Sequence, residues 1–229
     1  MKEIKSISIN VQSVNFREIR MGNIAPKTLY RSSHPIKDNK QEKAISLLAS
    51  SEKITTVINL CDTMSGIIGK SVVAPWYNNL FGKGRVIALG MDFSCTSVSF
   101  KRKLKEALQF IIHTESPWLI HCHAGVDRTG FVCMVIESFM GASLADVVND
   151  YLKSFNSIFE SSVYATQKAD ADTAMQIISV MSDSQTINEH NLQHIAETYL
   201  RIKIGLSVEE VELLRVKLGV REMFEKIKR

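Results

Sequence analysis

Several kinds of segment are missing from these 229 residues, and each absence narrows what the chain can be. No apolar run approaches the roughly 18 residues that a membrane-spanning helix needs, so no integral membrane segment is expected. The opening Met1-Lys2-Glu3-Ile4-Lys5 has no apolar signal region, which predicts a cytoplasmic protein and leaves leaderless export as a route out. Only four cysteines occur, at 61, 95, 122 and 133, with neither the spacing of a disulfide framework nor a CxxC pair. That usage suits a reducing compartment. An excess of charge of either sign is lacking as well. The 28 Lys and Arg against 24 Asp and Glu leave a net +4, which suits an anionic substrate but falls far short of a nucleic-acid-binding footprint. Internal repeats and low-complexity tracts are absent too.

What is present is an ordinary globular composition, 45% hydrophobic and 23% charged, long enough to bury a solid core. One domain over residues 1–229 is expected. Candidate strands are Ile7–Asn10, Thr28–Arg31, Thr55–Leu60, Arg85–Leu89 and Trp118–His121, alternating with helical patterns at Lys40–Ser50 and Lys101–Thr114. This alternation predicts an α/β fold with a mixed, partly parallel central sheet flanked by helices. Beyond Gly130 the pattern is helical: Ser143–Phe155, Ala169–Met181, Asn188–Ile204, Ser207–Leu218 and a short last helix. Ser143 and Ser207 carry N-cap signals, the second a full capping box with Glu210. The run Lys101-Arg102-Lys103-Leu104-Lys105 reads as the solvated face of a helix start.

The chemistry concentrates in His121-Cys122-His123-Ala124-Gly125-Val126-Asp127-Arg128-Thr129-Gly130, where a cysteine and an arginine bracket five residues. The apolar run before it reads as a buried strand and the apolar run after it as a buried helix. A strand feeding a tight loop and then a helix aims successive backbone N–H groups and the positive end of the helix dipole at one point, where an oxyanion belongs. The expected substrate contacts are therefore His123, Ala124, Gly125, Val126, Asp127, Arg128 and Gly130. The same field favours a thiolate at Cys122, since thiols at helix N-termini beside cations fall from about 8.5 to roughly 3.5–7.5. Arg128 offers a planar fork for two phosphoryl oxygens, a geometry lysine lacks. Thr129 can donate to the sulfur as it departs, and His121 braces the loop rather than reacting. Glycines at 125 and 130 suit close approach of a ligand to backbone. The His-Cys-His triplet offers ligands at i and i+2 without a second pair at workable spacing, so neither metal nor another cofactor is expected.

This stretch resembles the Cys-x5-Arg signature of cysteine-dependent protein tyrosine phosphatases, and its Cys-x-Ala-Gly-x-Asp-Arg-Thr-Gly form is most similar to the atypical bacterial branch. That branch includes secreted tyrosine and lipid phosphatases of mycobacteria and Listeria. Asn15-Phe16-Arg17, Leu29-Tyr30-Arg31-Ser32-Ser33, Asp150-Tyr151-Leu152 and the tail from Tyr199 to Leu218 resemble other motifs of the branch, so the likeness spans most of the chain. Departures are Glu18 for an aspartate, Arg20-Met21-Gly22 for a double glycine, and Val126 for a loop lysine, a missing cation that a protonated His123 would partly restore. The resemblance implies a phosphomonoesterase with a phosphocysteine intermediate. It would act on phosphotyrosine proteins, with dual specificity as an extension and a phosphoinositide or inositol polyphosphate phosphatase as the alternative enzyme. A phosphate-binding module that has lost turnover is the non-enzymatic competitor.

Two carboxylates compete as general acid. Asp92 lies thirty residues before Cys122, the spacing at which many relatives carry the acid on a movable loop; its alternative is a turn or N-cap residue ahead of the next helix. Asp127 occupies the loop position to which the bacterial branch assigns the role; its alternative is an acceptor that steadies the loop. A carboxyl facing a phosphate dianion has its pKa raised, the direction an acid needs. Residues 156–191 exceed a minimal core and read either as a lid or as plain helical packing. Val57-Ile58-Asn59-Leu60-Cys61 resembles the strand end of phosphoinositide phosphatases that protect their nucleophile as a disulfide, which makes Cys61 a redox candidate alongside its reading as a buried structural cysteine.

Overall fold

The computed structural model describes residues 14–36, 39–68, 74–159, 170–183 and 185–219. Five strands form one sheet: β1 (Arg17–Ile19), β2 (Leu29–Ser32), β3 (Thr56–Asn59), β4 (Val86–Ala88) and β5 (Trp118–His121). Their order is β1-β2-β5-β3-β4. The β1–β2 pair is antiparallel and the other three pairs are parallel. The expected mixed, mainly parallel sheet is present. The last strand among the described residues, β5, lies in the middle, so the carboxyl ends of β2, β3 and β4 open on the same edge as its own. That edge is where ligands gather in open α/β sheets.

Alternation along the strands sends side chains to two cores. Leu29, Ile58, Trp118 and Ile120 pack on one face; Tyr30, Val57, Val86 and Leu119 pack on the other. The second face is covered by α1 (Asn39–Ser51) and α3 (Pro75–Gly82), while the short α2 (Met64–Ile68) sits beside β4. The first face carries α4 (Val98–His113) and α5 (Asp127–Phe139), with α6 (Leu144–Phe159), α7 (Ala171–Ile178), α8 (Leu192–Thr198) and α9 (Val208–Leu218) around them. Every residue of α5 from Thr129 to Phe139 is buried. It has no solvent face because β5, α6, α7 and α8 all pack on it.

Four of the five expected strands appear within a residue or two. The fifth, Ile7–Asn10, lies outside the described residues, as does the short last helix. Strand β1 was not expected; its Arg-Glu-Ile sequence has no alternation and it exists because β2 offers an edge to pair with. The expected helix Asn188–Ile204 is α8 followed by a π-turn at Tyr199–Lys203, and Ala169–Met181 is α7 followed by a 3-10 turn at Ser179–Met181. Both serine caps are in place: Ser143 accepts from Asp146 N–H, and Ser207 and Glu210 form the reciprocal box. Three of the basic residues at the start of α4 are engaged locally: Arg102 with Glu106, Lys103 with Gly90 O and Lys105 with Gly205 O. Of the expected lid, residues 160–169 lie outside the described residues. Its helix α7 packs against α5 and α6 with Ala174 and Ile178 buried.

Candidate active site

Cys122 follows the last residue of β5 and Arg128 is the second residue of α5, so the bracketed loop runs from the sheet edge into a helix N-terminus. Cys122 is recessed, with 1% of its surface exposed. Helix α5 begins with no side-chain cap, which leaves its first N–H groups for something other than the protein's own side chains. Arg128 turns Nη1 to Met91 O at 3.0 Å, while its buried Nε and the buried Thr129 hydroxyl make no hydrogen bond among the described residues. Unmatched buried donors are uncommon in protein interiors. Two of them in succession at the start of α5 suit an anion cradle.

Three carbonyls of the loop are held from outside. His121 lies buried between Tyr77 and the loop, its Nε2 3.4 Å from Tyr77 Oη and its Nδ1 3.3 Å from Cys122 O. Burial first, and then the neighbouring His34, push the His121 pKa well below the ordinary range. The neutral ring thus donates through Nδ1 to Cys122 O and accepts from Tyr77, which itself accepts from Asn59 Nδ2 at 3.1 Å. His34 N–H donates to His123 O at 3.1 Å. Gly125 O accepts from Arg31 Nη2 at 2.7 Å and from Asn15 Nδ2 at 2.9 Å. None of Asn15, Arg31, His34, Asn59 and Tyr77 was a site candidate from residue chemistry; Asn15, Arg31 and Asn59 stood within stretches of motif likeness, and nothing signalled His34 or Tyr77.

The glycines answer to protein neighbours. Gly125 has φ +74°, and a Cβ there would lie 2.3 Å from Ser32 O. A Cβ on Gly130 would meet the Tyr151 ring at 2.9 Å. Close approach is required at both positions, by β2 and by α6 rather than by a ligand alone. Ala124 is half-buried, Val126 is buried and His123 is exposed.

The two candidate acids differ in setting. Asp92 is exposed and its carboxylate accepts from Ser94 N–H at 3.0 Å and from the Ser97 hydroxyl at 3.2 Å, just ahead of α4. Ser97 is that helix's N-cap. Asp127 opens α5 half-buried, and burial raises its pKa above the ordinary 3.8 against the opposing pull of its own backbone N–H and of Arg128.

His34, Cys61 and Asp62 bring one ligand atom each within 4.8 Å of one another beside the loop. The donor set does not fit a metal. His34 Nδ1 accepts from Ile36 N–H at 3.1 Å, so the ring proton sits on Nε2 and points at Asp62 Oδ2, 2.6 Å away. A nitrogen that carries a proton has no lone pair to offer a cation. Cys61 is half-buried, its Sγ 3.4 Å from Asn59 Oδ1.

No curated protein sequence matches the chain. Among solved structures, the core catalytic domain of the PP-IP phosphatase SIW14 from S. cerevisiae, in complex with citrate, is 23% identical with a TM-score of 0.44, covering 71% of this chain and 83% of that one. A second structure, of the Siw14 catalytic core, is 20% identical with a TM-score of 0.43, covering 82% and 93%. The model of the tyrosine phosphatase family matches residues 89–219, more than half of the chain and all of the loop and its helix. The chain belongs to the tyrosine phosphatase family.

Proposed function

We propose that this protein hydrolyses phosphomonoesters through a phosphocysteine intermediate, with phosphotyrosine in proteins as the preferred substrate. The observation that carries the reading is the placement of Cys122 and Arg128 at the two ends of a loop whose outer carbonyls are pinned and whose helix N-terminus has no side-chain cap. The Cys122 sulfur attacks phosphorus while the P–O bond to the leaving group breaks, and the departing oxygen takes a proton from Asp127. Arg128 Nε and the loop N–H groups hold the equatorial oxygens. Water then attacks the phosphocysteine, gives its proton to the Asp127 carboxylate, and the S–P bond breaks with the Thr129 hydroxyl donating to sulfur. Burial of Asp127 supports it over Asp92, whose carboxylate is engaged in the turn before α4. The recessed position of Cys122 supports an aryl ester, since a phenyl spacer reaches deeper than a seryl or threonyl methylene.

Hydrolysis of phosphotyrosine, phosphoserine and phosphothreonine peptides beside phosphoinositides and inositol hexakisphosphate, with chelator present and Cys122→Ser as control, tests the proposal. Chelator-resistant release that depends on Cys122 and favours the phosphotyrosine peptides is expected. Release from the inositol compounds alone would overturn the substrate class while keeping the chemistry. No release from any member would leave a phosphate-binding module.

A further inference from the structure

Residues around Asn15, Arg31 and Asp150 form one hydrogen-bonded circuit behind a single loop carbonyl. Gly125 O receives Arg31 Nη2; Arg31 Nη1 donates to Asp150 Oδ2 at 2.5 Å. The other carboxylate oxygen, Oδ1, receives Arg17 Nε at 2.8 Å, and Arg17 Nη2 continues to Asp150 O at 2.9 Å and Ser154 Oγ at 2.5 Å. Arg17 Nη1 bonds Asn15 Oδ1, and Asn15 Nδ2 returns to Gly125 O. The circuit closes on itself. Arg31 and Asp150 within it are almost wholly buried, a costly placement for charged groups that these bonds offset at both Nη atoms of Arg31, while its Nε has no partner among the described residues.

A trans peptide explains what such a circuit does. In the planar unit the C=O of one residue and the N–H of the next point in opposite directions. Fixing Gly125 O outward therefore aims Val126 N–H inward, toward the space between Cys122 and Arg128. The bonds to Cys122 O and His123 O do the same for the N–H groups of His123 and Ala124. Gly125 differs from these two because its clamp is ionic. It carries two guanidinium groups, which remain charged in proteins, for the single Asp150 carboxylate. Although burial opposes it, Arg31 and then Arg17 hold that carboxyl below its usual range. Glu137, the next buried carboxyl, is pushed well up by burial and then by Asp150.

We infer that Arg31, held in place by Asp150 and Arg17, is a positioning residue for phosphoryl binding and transfer, aiming the Val126 N–H at the phosphate from behind the loop. The inference rests on the proposed phosphatase chemistry for its rate effect but not for its binding effect. Two variants test it. Arg31→Lys keeps the charge and cannot bond Asp150 and Gly125 O together as a planar fork does. Asn15→Gly removes the second donor to Gly125 O at a residue with φ +51°, a conformation glycine adopts freely, and so guards against an Arg31 variant that fails to fold. Affinity for inorganic phosphate is read from its protection of Cys122 against iodoacetamide, beside kcat/KM on an aryl phosphate, at a temperature where circular dichroism shows each variant folded. Phosphate affinity and kcat/KM are expected to fall together by about tenfold in Arg31→Lys and by about threefold in Asn15→Gly. A structural role alone would lower the thermal midpoint and leave phosphate protection unchanged. Folded variants that bind phosphate within twofold of wild type overturn the inference. If wild type proves inactive on every phosphoester, the functional reading falls, and phosphate protection still decides the role of Arg31.

Discussion

Replacing Gly125 by alanine is a sharp perturbation of this site, and its effect can be worked from the coordinates. The new Cβ would stand 2.3 Å from Ser32 O, 2.6 Å from Ser32 C and 2.8 Å from Ser33 N, all backbone atoms at the end of β2. Ordinary contact begins near 3.4 Å, so the loop must retreat by about 1 Å, the scale of misplacement that can lower a rate by about a hundredfold. An alanine at φ +74° adds about 1 kcal/mol of backbone strain. The retreat also stretches the bond from Arg31, worth about 2 kcal/mol for a charged donor, and that from Asn15, worth about 1 kcal/mol. Together these come to roughly 4 kcal/mol, against a total stability on the order of 5–15 kcal/mol. Urea unfolding should show a loss of that order, and kcat/KM on an aryl phosphate should fall about a hundredfold in the fraction that stays folded. Gly84→Ala is the control: its φ is +68° and a Cβ there meets nothing within 4 Å. It should lose about 1 kcal/mol and no activity. A Gly125→Ala protein within 1 kcal/mol and threefold of wild type, or one indistinguishable from Gly84→Ala, would refute the packing argument.

Other substitutions separate roles. Asp127→Asn should lose far more activity on an alkyl phosphate, a poor leaving group, than on an activated aryl phosphate, whereas Asp92→Asn should affect both alike and by less than about threefold. Equal losses for Asp127→Asn on the two substrates would remove it as the acid. Because burial raises the Asp127 pKa and the acid form is the donor, activity on the alkyl substrate should persist above the usual carboxylate range and decline as pH rises through the raised value. A pH profile of Asp127→Asn that keeps this limb would assign it to another group. Glu137 gives a stability test. Its raised folded-state pKa means that the unfolded chain ionises first as pH climbs past 4.5, so wild-type stability should drop by about 1 kcal/mol per pH unit in that window. Glu137→Gln carries no such proton, so its advantage over wild type should widen from pH 4.5 upward; a gap independent of pH would mean the carboxyl is ionised in the fold.

How much of this was legible in the sequence depended on how local the cause was. Trp118–His121 is an apolar run that ends where it meets the loop, and β5 has those bounds. Cys122 and Arg128 are six positions apart, so their juxtaposition is dictated by a single loop and a helix start. Helix α3 was missed although its signal was present: Pro75 stands in the first turn and Gly84 just beyond the end, the usual asymmetry of helix termini. The five-residue α2 and three-residue β1 have no period to read and depend on their neighbours. The clamp on Gly125 was illegible from chemistry because its parts lie 94 to 133 positions apart. An arginine in Leu29-Tyr30-Arg31-Ser32 looks like any strand residue until the fold turns it inward.

The loop is backed by a costly arrangement. Two guanidinium groups packed behind it around a single carboxylate would be disfavoured in a chain selected only for stability. A five-residue loop has too few internal bonds to fix its own peptide planes, and unclamped it would turn carbonyls as readily as N–H groups toward the phosphate site. Here each of three carbonyls is held by its own donors: Cys122 O by the ring at the end of β5, His123 O by the backbone after β2, and Gly125 O by side chains reaching from β2 and from the turn before β1. Because the donors are separate groups, single substitutions behind the loop should weaken phosphate binding in graded steps, whereas Gly125→Ala, which pushes the chain itself off β2, disturbs the Gly125 clamp and the loop path at once.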